Sequence, residues 1–112
     1  KLRRDEPDAY VTQLTKLARH GRDERFLDRL LIASVVECRG AERFGLIAQQ
    51  AQDRHIREFY ARLRKGELKH GHIFVEFALR YVDAEIVYAR LESFMAAEAQ
   101  IMLDLDFRAA LH

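Results

Sequence analysis

Apolar residues recur at intervals of three and four positions along most of this chain, the spacing typical of amphipathic helices in a bundle. A short first helix is predicted to begin at Glu6-Pro7-Asp8, where acidic residues and proline suit a first turn, and to end near Gly21. Three long helices are predicted over residues 23–50, 53–81 and 83–105. No apolar run has the character of a hairpin strand, so the pattern predicts an all-α helical bundle with residues 1–112 in one domain.

Two of the long helices carry pronounced apolar surfaces. The second is apolar on almost every side over residues 26–36, which predicts burial on almost every side. The third carries one stripe on which Glu67 and His70 lie among apolar residues that are predicted to be core, namely Phe59, Tyr60, Leu63, Phe74, Phe77 and Tyr81. Gly66 and Gly71 lie inside this helix, where each costs up to about 1 kcal/mol relative to alanine. They therefore indicate close packing or a local distortion.

Composition supports a packed helical domain. Hydrophobic residues make up 49% of the chain, and there are only five glycines and one proline, so disorder is not expected. The net charge of +1 argues against a general polyanion binder. Basic residues nevertheless cluster in two places, which fits either a tRNA-binding surface or an ordinary solvated face. One is Lys1, Arg3 and Arg4, and the other is the exposed side of the third helix, at Arg54, Arg57, Arg62, Arg64, Lys65 and Lys69.

Cysteine usage and hydropathy restrict the location of the protein. Cys38 has no second cysteine to pair with, which fits a reducing compartment and favours the cytoplasm. No apolar run is long enough to span a bilayer, so no membrane partner is expected. The sequence begins at Lys1 rather than methionine, which indicates a piece of a longer protein or a processed product.

Three residues form a candidate metal-binding set. Glu67 and His70 are three residues apart, hence on one helix face, and Glu37 lies on the stripe of the preceding long helix. The three are therefore predicted to face the same buried space, with their carboxylate oxygens within a few ångströms of a common point. Burying ionised carboxylates without a partner is costly, so a cation between them is a reasonable compensation. Ferritin-like bundles build di-iron sites from single Glu residues and Glu-x-x-His pairs on facing helices. Carboxylates can bridge and neutralise two irons, and imidazole completes the ligand set.

Other candidates are weighed against this set. Glu42 is the alternative to Glu37, but it lies on a different face and precedes Arg43, so a salt bridge or a hydrogen bond near the site is the preferred interpretation. Cys38 is predicted to be a small core residue. Four further residues off the stripes are predicted to be solvated, namely His20, His55, His72 and Glu76. Glu92 and Glu98 are predicted to cover the outer face of the final helix.

The segment LLIASVVECRGAERF, residues 30–44, resembles the signature of the MiaE-like tRNA hydroxylases. In that signature a leucine-rich helix carries a Glu, here Glu37, and continues after small residues into Glu-Arg-Phe, here Glu42-Arg43-Phe44. The distances to Phe59-Tyr60 and to Glu67-Leu68-Lys69-His70 match as well. The resemblance extends from about residue 10 to about residue 103, through the closing helix.

The resemblance implies a ferritin-like, non-haem di-iron monooxygenase. Such an enzyme uses dioxygen and electrons from a reductase to hydroxylate the isopentenyl group of 2-methylthio-isopentenyl-adenosine in tRNA. It implies Glu37 as the single-Glu ligand of the third bundle helix, and Glu67 and His70 as the Glu-x-x-His of the fourth. Iron is then the cofactor, dioxygen the co-substrate, and tRNA and an electron donor the partners.

The chain departs from the family in one large respect. The family's first two bundle helices carry another Glu and another Glu-x-x-His, and this chain has neither, since His20 is not in such a motif. Gly66 also stands where the family often has Ser. The chain corresponds to a C-terminal half, to be completed by an N-terminal half or by a second copy. The alternatives are a helical domain that has lost its metal and a ferritin-like protein that stores or oxidises iron.

Overall fold

Four helices make up the computed structural model, which describes the backbone of residues 5–111 and the side chains of residues 9–111. They are α1 (Asp5–Thr15), α2 (Arg22–Gln50), α3 (Arg54–Leu79) and α4 (Ala84–Leu111). No strand occurs within residues 5–111, which confirms the all-α class. The basic cluster predicted at residues 1–4 lies outside the described part of the chain.

Two helix ends differ from the prediction. The first helix ends at Thr15, not near Gly21, because the backbone turns there to reach a buried carboxylate. The amide of Arg19 donates a 2.9 Å hydrogen bond to Asp28 Oδ2, which a continuing helix would not allow. The last helix runs on to Leu111, beyond the predicted end at residue 105, since no glycine or proline follows to stop it.

The contacts between the helices show in which direction α3 and α4 run relative to α2. Moving forward along α2, its partners on α3 move backward, from the ring pair Phe26–Phe77 to the pair Phe44–Tyr60, so these two helices are antiparallel. The ion pairs Asp28–Arg90 and Arg39–Glu98 show that α4 runs parallel to α2. The α3 N-terminus is capped by Asp53, whose side chain accepts hydrogen bonds from the amides of residues 55 and 56.

The hydrophobic core lies between α1, α2, α4 and the C-terminal end of α3. Phe94, Leu14 and Leu31 are its largest fully buried apolar side chains. The remaining core members are Tyr10, Leu27, Ile32, Val35, Ala78, Val87 and Ile101. None of the described helices is long and apolar enough to cross a lipid bilayer.

A buried carboxylate at Asp28 joins three elements through two arginines. Arg90 donates hydrogen bonds of 3.0 and 2.9 Å to the two carboxylate oxygens of Asp28. Arg19 donates a second pair of hydrogen bonds to the same oxygens, at 3.0 and 3.1 Å. Burial alone would raise the pKa of Asp28, but hydrogen bonds from Arg90 and Arg19 hold the pKa well below its usual range. The cluster fixes α4 and the α1–α2 connection against α2.

A second buried carboxylate, Glu98, contradicts its predicted position on the outer face of α4. It is 4% exposed, accepts two hydrogen bonds from Arg39 at 2.6 and 2.7 Å, and accepts a third from Tyr10 at 2.7 Å. Burial alone would raise the pKa of Glu98, and the bonds from Arg39 and Tyr10 lower it. The prediction was wrong because Glu98 lies four residues after Phe94 and three before Ile101, on the buried stripe itself.

The side of α2 and α3 that faces away from α1 and α4 is open to solvent. We call this surface the open face, and it carries Phe26, Glu37, Gly40 and Phe44 of α2 with Phe59, Glu67, His70, Phe77 and Tyr81 of α3. Exposed aromatic rings lie at both of its ends, up to Tyr81 at 66% exposure. The prediction that the α3 aromatic stripe is core was therefore wrong for this chain by itself. Residues 27–36 of α2 are buried or half-buried apart from Arg29, as their apolar pattern predicts.

The two glycines inside α3 have different environments, which predicts opposite effects of substitution. A Cβ on Gly71 would lie 3.1 Å from Cys38 Sγ and 3.4 Å from the Ser34 carbonyl oxygen, whereas a Cβ on Gly66 meets nothing within 4 Å. We expect Gly71→Val to lower the unfolding free energy by about 2 kcal/mol through overpacking. Gly66→Ala should raise it by about 0.5–1 kcal/mol through helix propensity. Urea unfolding of both variants measures this, and equal effects would contradict it.

Candidate metal centre

Three side chains from α2 and α3 converge on the open face. Glu37, Glu67 and His70 each offer one ligand atom, and these atoms all lie within 4.8 Å of one another. Within α3, His70 Nδ1 lies 3.8 Å from Glu67 Oε1. The convergence follows from the sequence, since three residues separate Glu67 from His70 on one helix face and the antiparallel α2 presents Glu37 opposite them.

Small residues of the two helices make room for this group. A Cβ on Gly40 would lie 3.1 Å from Glu67 Oε2, so the missing side chain leaves space for that carboxylate. Ser34 and Gly71 bring the helices together one turn away, where the Ser34 hydroxyl donates a 2.9 Å hydrogen bond to the Gly71 carbonyl. Close approach of α2 and α3 therefore sets the separation of Glu37 from the α3 pair.

The electrostatics of the group favour a bound cation. The pKa of Glu37 is raised, first because its carboxyl group shares a hydrogen bond with Glu67, and then by partial burial and the charge of Glu67. The nearby His70 opposes this rise. Two carboxylates this close repel each other unless a proton or a metal ion lies between them. The donor set of two carboxylates and one imidazole fits a transition metal such as iron.

Burial at the site is lower than the sequence predicted. Glu37 and Glu67 are half-buried, and the His70 side chain is 57% exposed. The prediction that they face a buried space was wrong for this chain alone, because no described element covers the open face. Glu42 is exposed and bonded to Arg39 at 3.1 Å, which confirms its interpretation as a salt-bridge residue.

Some of the other predicted positions agree with the structure and others do not. Cys38 is exposed rather than part of the core, since it lies at the rim where α2 meets Gly71. Five of the histidines and acidic residues that were predicted to be solvated are exposed, namely His20, His55, His72, Glu76 and Glu92. The exception is Glu98, which is buried. All six basic residues predicted on the outer side of α3 are exposed as well.

The ion pairs at Arg39 lie close to the site in sequence, and the sequence alone did not reveal them. Arg39 follows Glu37 by two residues and ties α2 to α4 through Glu98, while its other nitrogen bonds Glu42. The sequence feature that could have indicated them is the position of Glu98 four residues after Phe94, which places a charged residue on the buried stripe of α4. A buried carboxylate requires a cationic partner, and Arg39 supplies it.

Similarity to known proteins agrees with this geometry. The chain matches the family described as tRNA-(MS[2]IO[6]A)-hydroxylase (MiaE) over residues 1–112. It is 27% identical over 103 residues to the tRNA 2-(methylsulfanyl)-N(6)-isopentenyladenosine(37) hydroxylase of Salmonella typhimurium (strain LT2), an alignment that covers 92% of this chain and 37% of that protein. The chain thus spans little more than a third of the length of this curated relative. No solved structure matches it significantly. The chain belongs to the MiaE family of tRNA hydroxylases.

Proposed function

We propose that this chain supplies part of a di-iron site to an enzyme that hydroxylates a modified adenosine in tRNA. The observation that carries the proposal is the convergence of Glu37, Glu67 and His70 on an open helix face, in a chain of this family. Two carboxylates and an imidazole are a half set of the ligands that ferritin-like bundles use for two irons. The chain alone lacks the other half.

The substrate follows from the family and from the printed name of the Salmonella relative. We infer that the complete enzyme acts on the isopentenyl group of 2-methylthio-isopentenyl-adenosine in tRNA, in the cytoplasm. The reaction is a monooxygenation, in which one oxygen atom of O2 enters a C–H bond and the other leaves as water. Two electrons from a reductase and two protons balance it. A bound iron pair supplies the activation of dioxygen.

The residues of this chain have defined roles in that proposal. Glu37 and Glu67 would offer negative charge to the metal, and a bound cation would offset the repulsion between the two carboxylates. His70 adds a neutral nitrogen donor from the same helix as Glu67. The pair Arg39–Glu98 holds α2 against α4, so that Glu37 keeps its direction toward α3.

Completion of the site requires further ligands. A ferritin-like di-iron centre uses about four carboxylates and two imidazoles, twice what Glu37, Glu67 and His70 provide. We propose that a second copy of this chain or an N-terminal half of the bundle covers the open face and provides them. The exposed aromatic residues at both ends of the site are the surface that such a half would bury.

The proposal predicts that iron binding depends on Glu37 and not on its neighbour Glu42. After anaerobic loading with Fe²⁺, the completed assembly carrying Glu37→Gln should bind iron roughly tenfold or more weakly, because a ligand is lost. The Glu42→Gln assembly, altered only at an exposed salt bridge, should bind as the unaltered assembly does. Metal analysis after desalting and hydroxylation of tRNA measure the two properties.

The same experiment distinguishes the alternatives. Iron bound through Glu37 without tRNA hydroxylation would favour an iron-storing or iron-oxidising protein. Absence of metal in every preparation would favour a helical domain that has lost its site. Equal losses in the Glu37→Gln and Glu42→Gln assemblies would contradict the ligand assignment.

A further inference from the structure

A basic groove runs between the C-terminal part of α1 and the start of α2. Its first section has a volume of about 380 Å³, and Lys16, His20, Arg25 and Arg29 lie along it beside the hydroxyl-bearing Thr12 and Thr15. A second section of about 430 Å³ continues past Arg22 to Phe26, and its one acidic residue, Asp23, forms no ion pair with the described side chains. We call the two sections together the α1–α2 groove.

Most of the groove cations have no acidic partner among the side chains of residues 9–111. Arg19 is occupied by Asp28 and Glu24, and its guanidinium belongs to the buried cluster. By contrast, Lys16, Arg22, Arg25 and Arg29 form no ion pair with any residue whose side chain the structure describes. Their charge is therefore available to an anion that enters the groove.

The spacing of these cations suits a repeating anion. Arg22, Arg25 and Arg29 follow one another at three and four residues, so their attachment points are about 4.5 and about 6 Å apart along the axis of α2. A single phosphate uses one or two of them, whereas a phosphodiester backbone presents a phosphate to each in turn. The row lies on exposed helix surface, where long arginine side chains can follow a flexible strand.

The groove leads toward the candidate metal centre. It ends at Phe26, whose ring packs on Phe77 and Tyr81 at one end of the open face. Phe26 and Glu37 are separated by about three helical turns and so share a face, and Arg29 precedes Glu37 by a rise of about 12 Å. If a single strand of RNA lies in the groove, a nucleotide a few positions further along that RNA is within reach of the candidate metal centre. Exposed aromatic rings between them offer a stacking surface for an unpaired base.

We propose that the α1–α2 groove binds the phosphate backbone of the RNA substrate next to the nucleotide that reacts. The inference rests on the proposed tRNA substrate and adds the surface that holds it. It differs from the basic outer side of α3, where Lys65 lies on the side of the helix opposite Glu67. RNA bound there is directed away from the open face.

The test compares two pairs of substitutions that remove the same charge. Binding of a fluorescently labelled RNA anticodon stem-loop to the metal-free protein is followed by anisotropy over a range of salt concentrations. We expect Arg25→Gln/Arg29→Gln to weaken binding about tenfold or more and to reduce the slope of log K against log salt by about 1.4, the value for two single-stranded phosphate contacts. Arg62→Gln/Lys65→Gln on α3 should change binding less than about twofold.

Each other outcome overturns the inference. Equal losses in both variants indicate non-specific attraction, and a loss confined to the α3 variant assigns the RNA to that side. Unchanged RNA binding with a changed sedimentation coefficient in the groove variant identifies the groove as a protein interface. Circular dichroism melts of both variants exclude unfolding as the cause. Because no iron is present, a failed metal site leaves this measurement intact, so the two proposals fail separately.

Discussion

Replacing Asp28 with asparagine is expected to lower the unfolding free energy by about 3 kcal/mol. The carboxylate is fully buried and accepts hydrogen bonds from two arginines on different elements. Asparagine keeps the shape but removes the charge, which leaves the half-buried Arg90 without a counterion and Arg19 with only the exposed Glu24. Urea unfolding at fixed protein concentration measures the loss.

The matched control is Glu24, which also pairs with Arg19 but is exposed. Glu24→Gln should lower the unfolding free energy by less than about 0.5 kcal/mol, as is usual for a solvated ion pair. If the two variants are equally stable, the buried cluster makes no special contribution.

Acid should remove the same contribution from the unaltered protein. The folded-state pKa of Asp28 is depressed, so its stabilising effect is fully present above the pKa of an unfolded aspartate, about 3.9, and is lost as the pH falls below that value. The stability difference between the unaltered chain and Asp28→Asn should therefore narrow as the pH falls from about 5 to about 2. A difference that is constant over this range would show that the charge of Asp28 is not the cause.

Periodicity predicted the long helices well because their apolar residues recur over many turns. It did not predict the end of α1, since that depends on Asp28 drawing the amide of Arg19 out of the helical path. Helix propensity is a local property, whereas this hydrogen bond joins residues nine positions apart through a tertiary contact. The end of α4 was missed for the opposite reason, because nothing local stops the helix after residue 105.

The sequence predicted those parts of the candidate site that depend only on which face of a helix each residue occupies. The spacing of Glu67 and His70 and the stripe of Glu37 placed the three residues on facing surfaces, and the structure brings their ligand atoms within 4.8 Å. Burial was not predictable, because apolar stripes are the same in the sequence whether another element covers them or not. The position of Glu98 was available from its spacing, but its partner Arg39 lies 59 residues earlier and only the fold brings them together.

Mixing chains with and without a metal ligand should reveal what covers the open face. Suppose two copies pair and share one site. Refolding equal amounts of unaltered and Glu67→Ala chains then leaves about one quarter of the pairs with all ligands, so iron content falls to about a quarter if both halves are needed. Suppose instead that an N-terminal half completes each chain. Iron content then falls only to about half, in proportion to the chains mixed in.

Dioxygen consumption should follow iron content in either case, because the same ligands hold the metal that activates oxygen. The control is Glu76→Ala, which changes an exposed residue away from the three ligands and should leave iron content unchanged at every mixing ratio. Sedimentation before and after iron loading reports whether the chains are paired. Unpaired chains that keep the open face exposed, take up no iron and do not respond to added N-terminal half would contradict the shared site. The three residues would then be an ordinary carboxylate–histidine cluster on the surface of a helical domain.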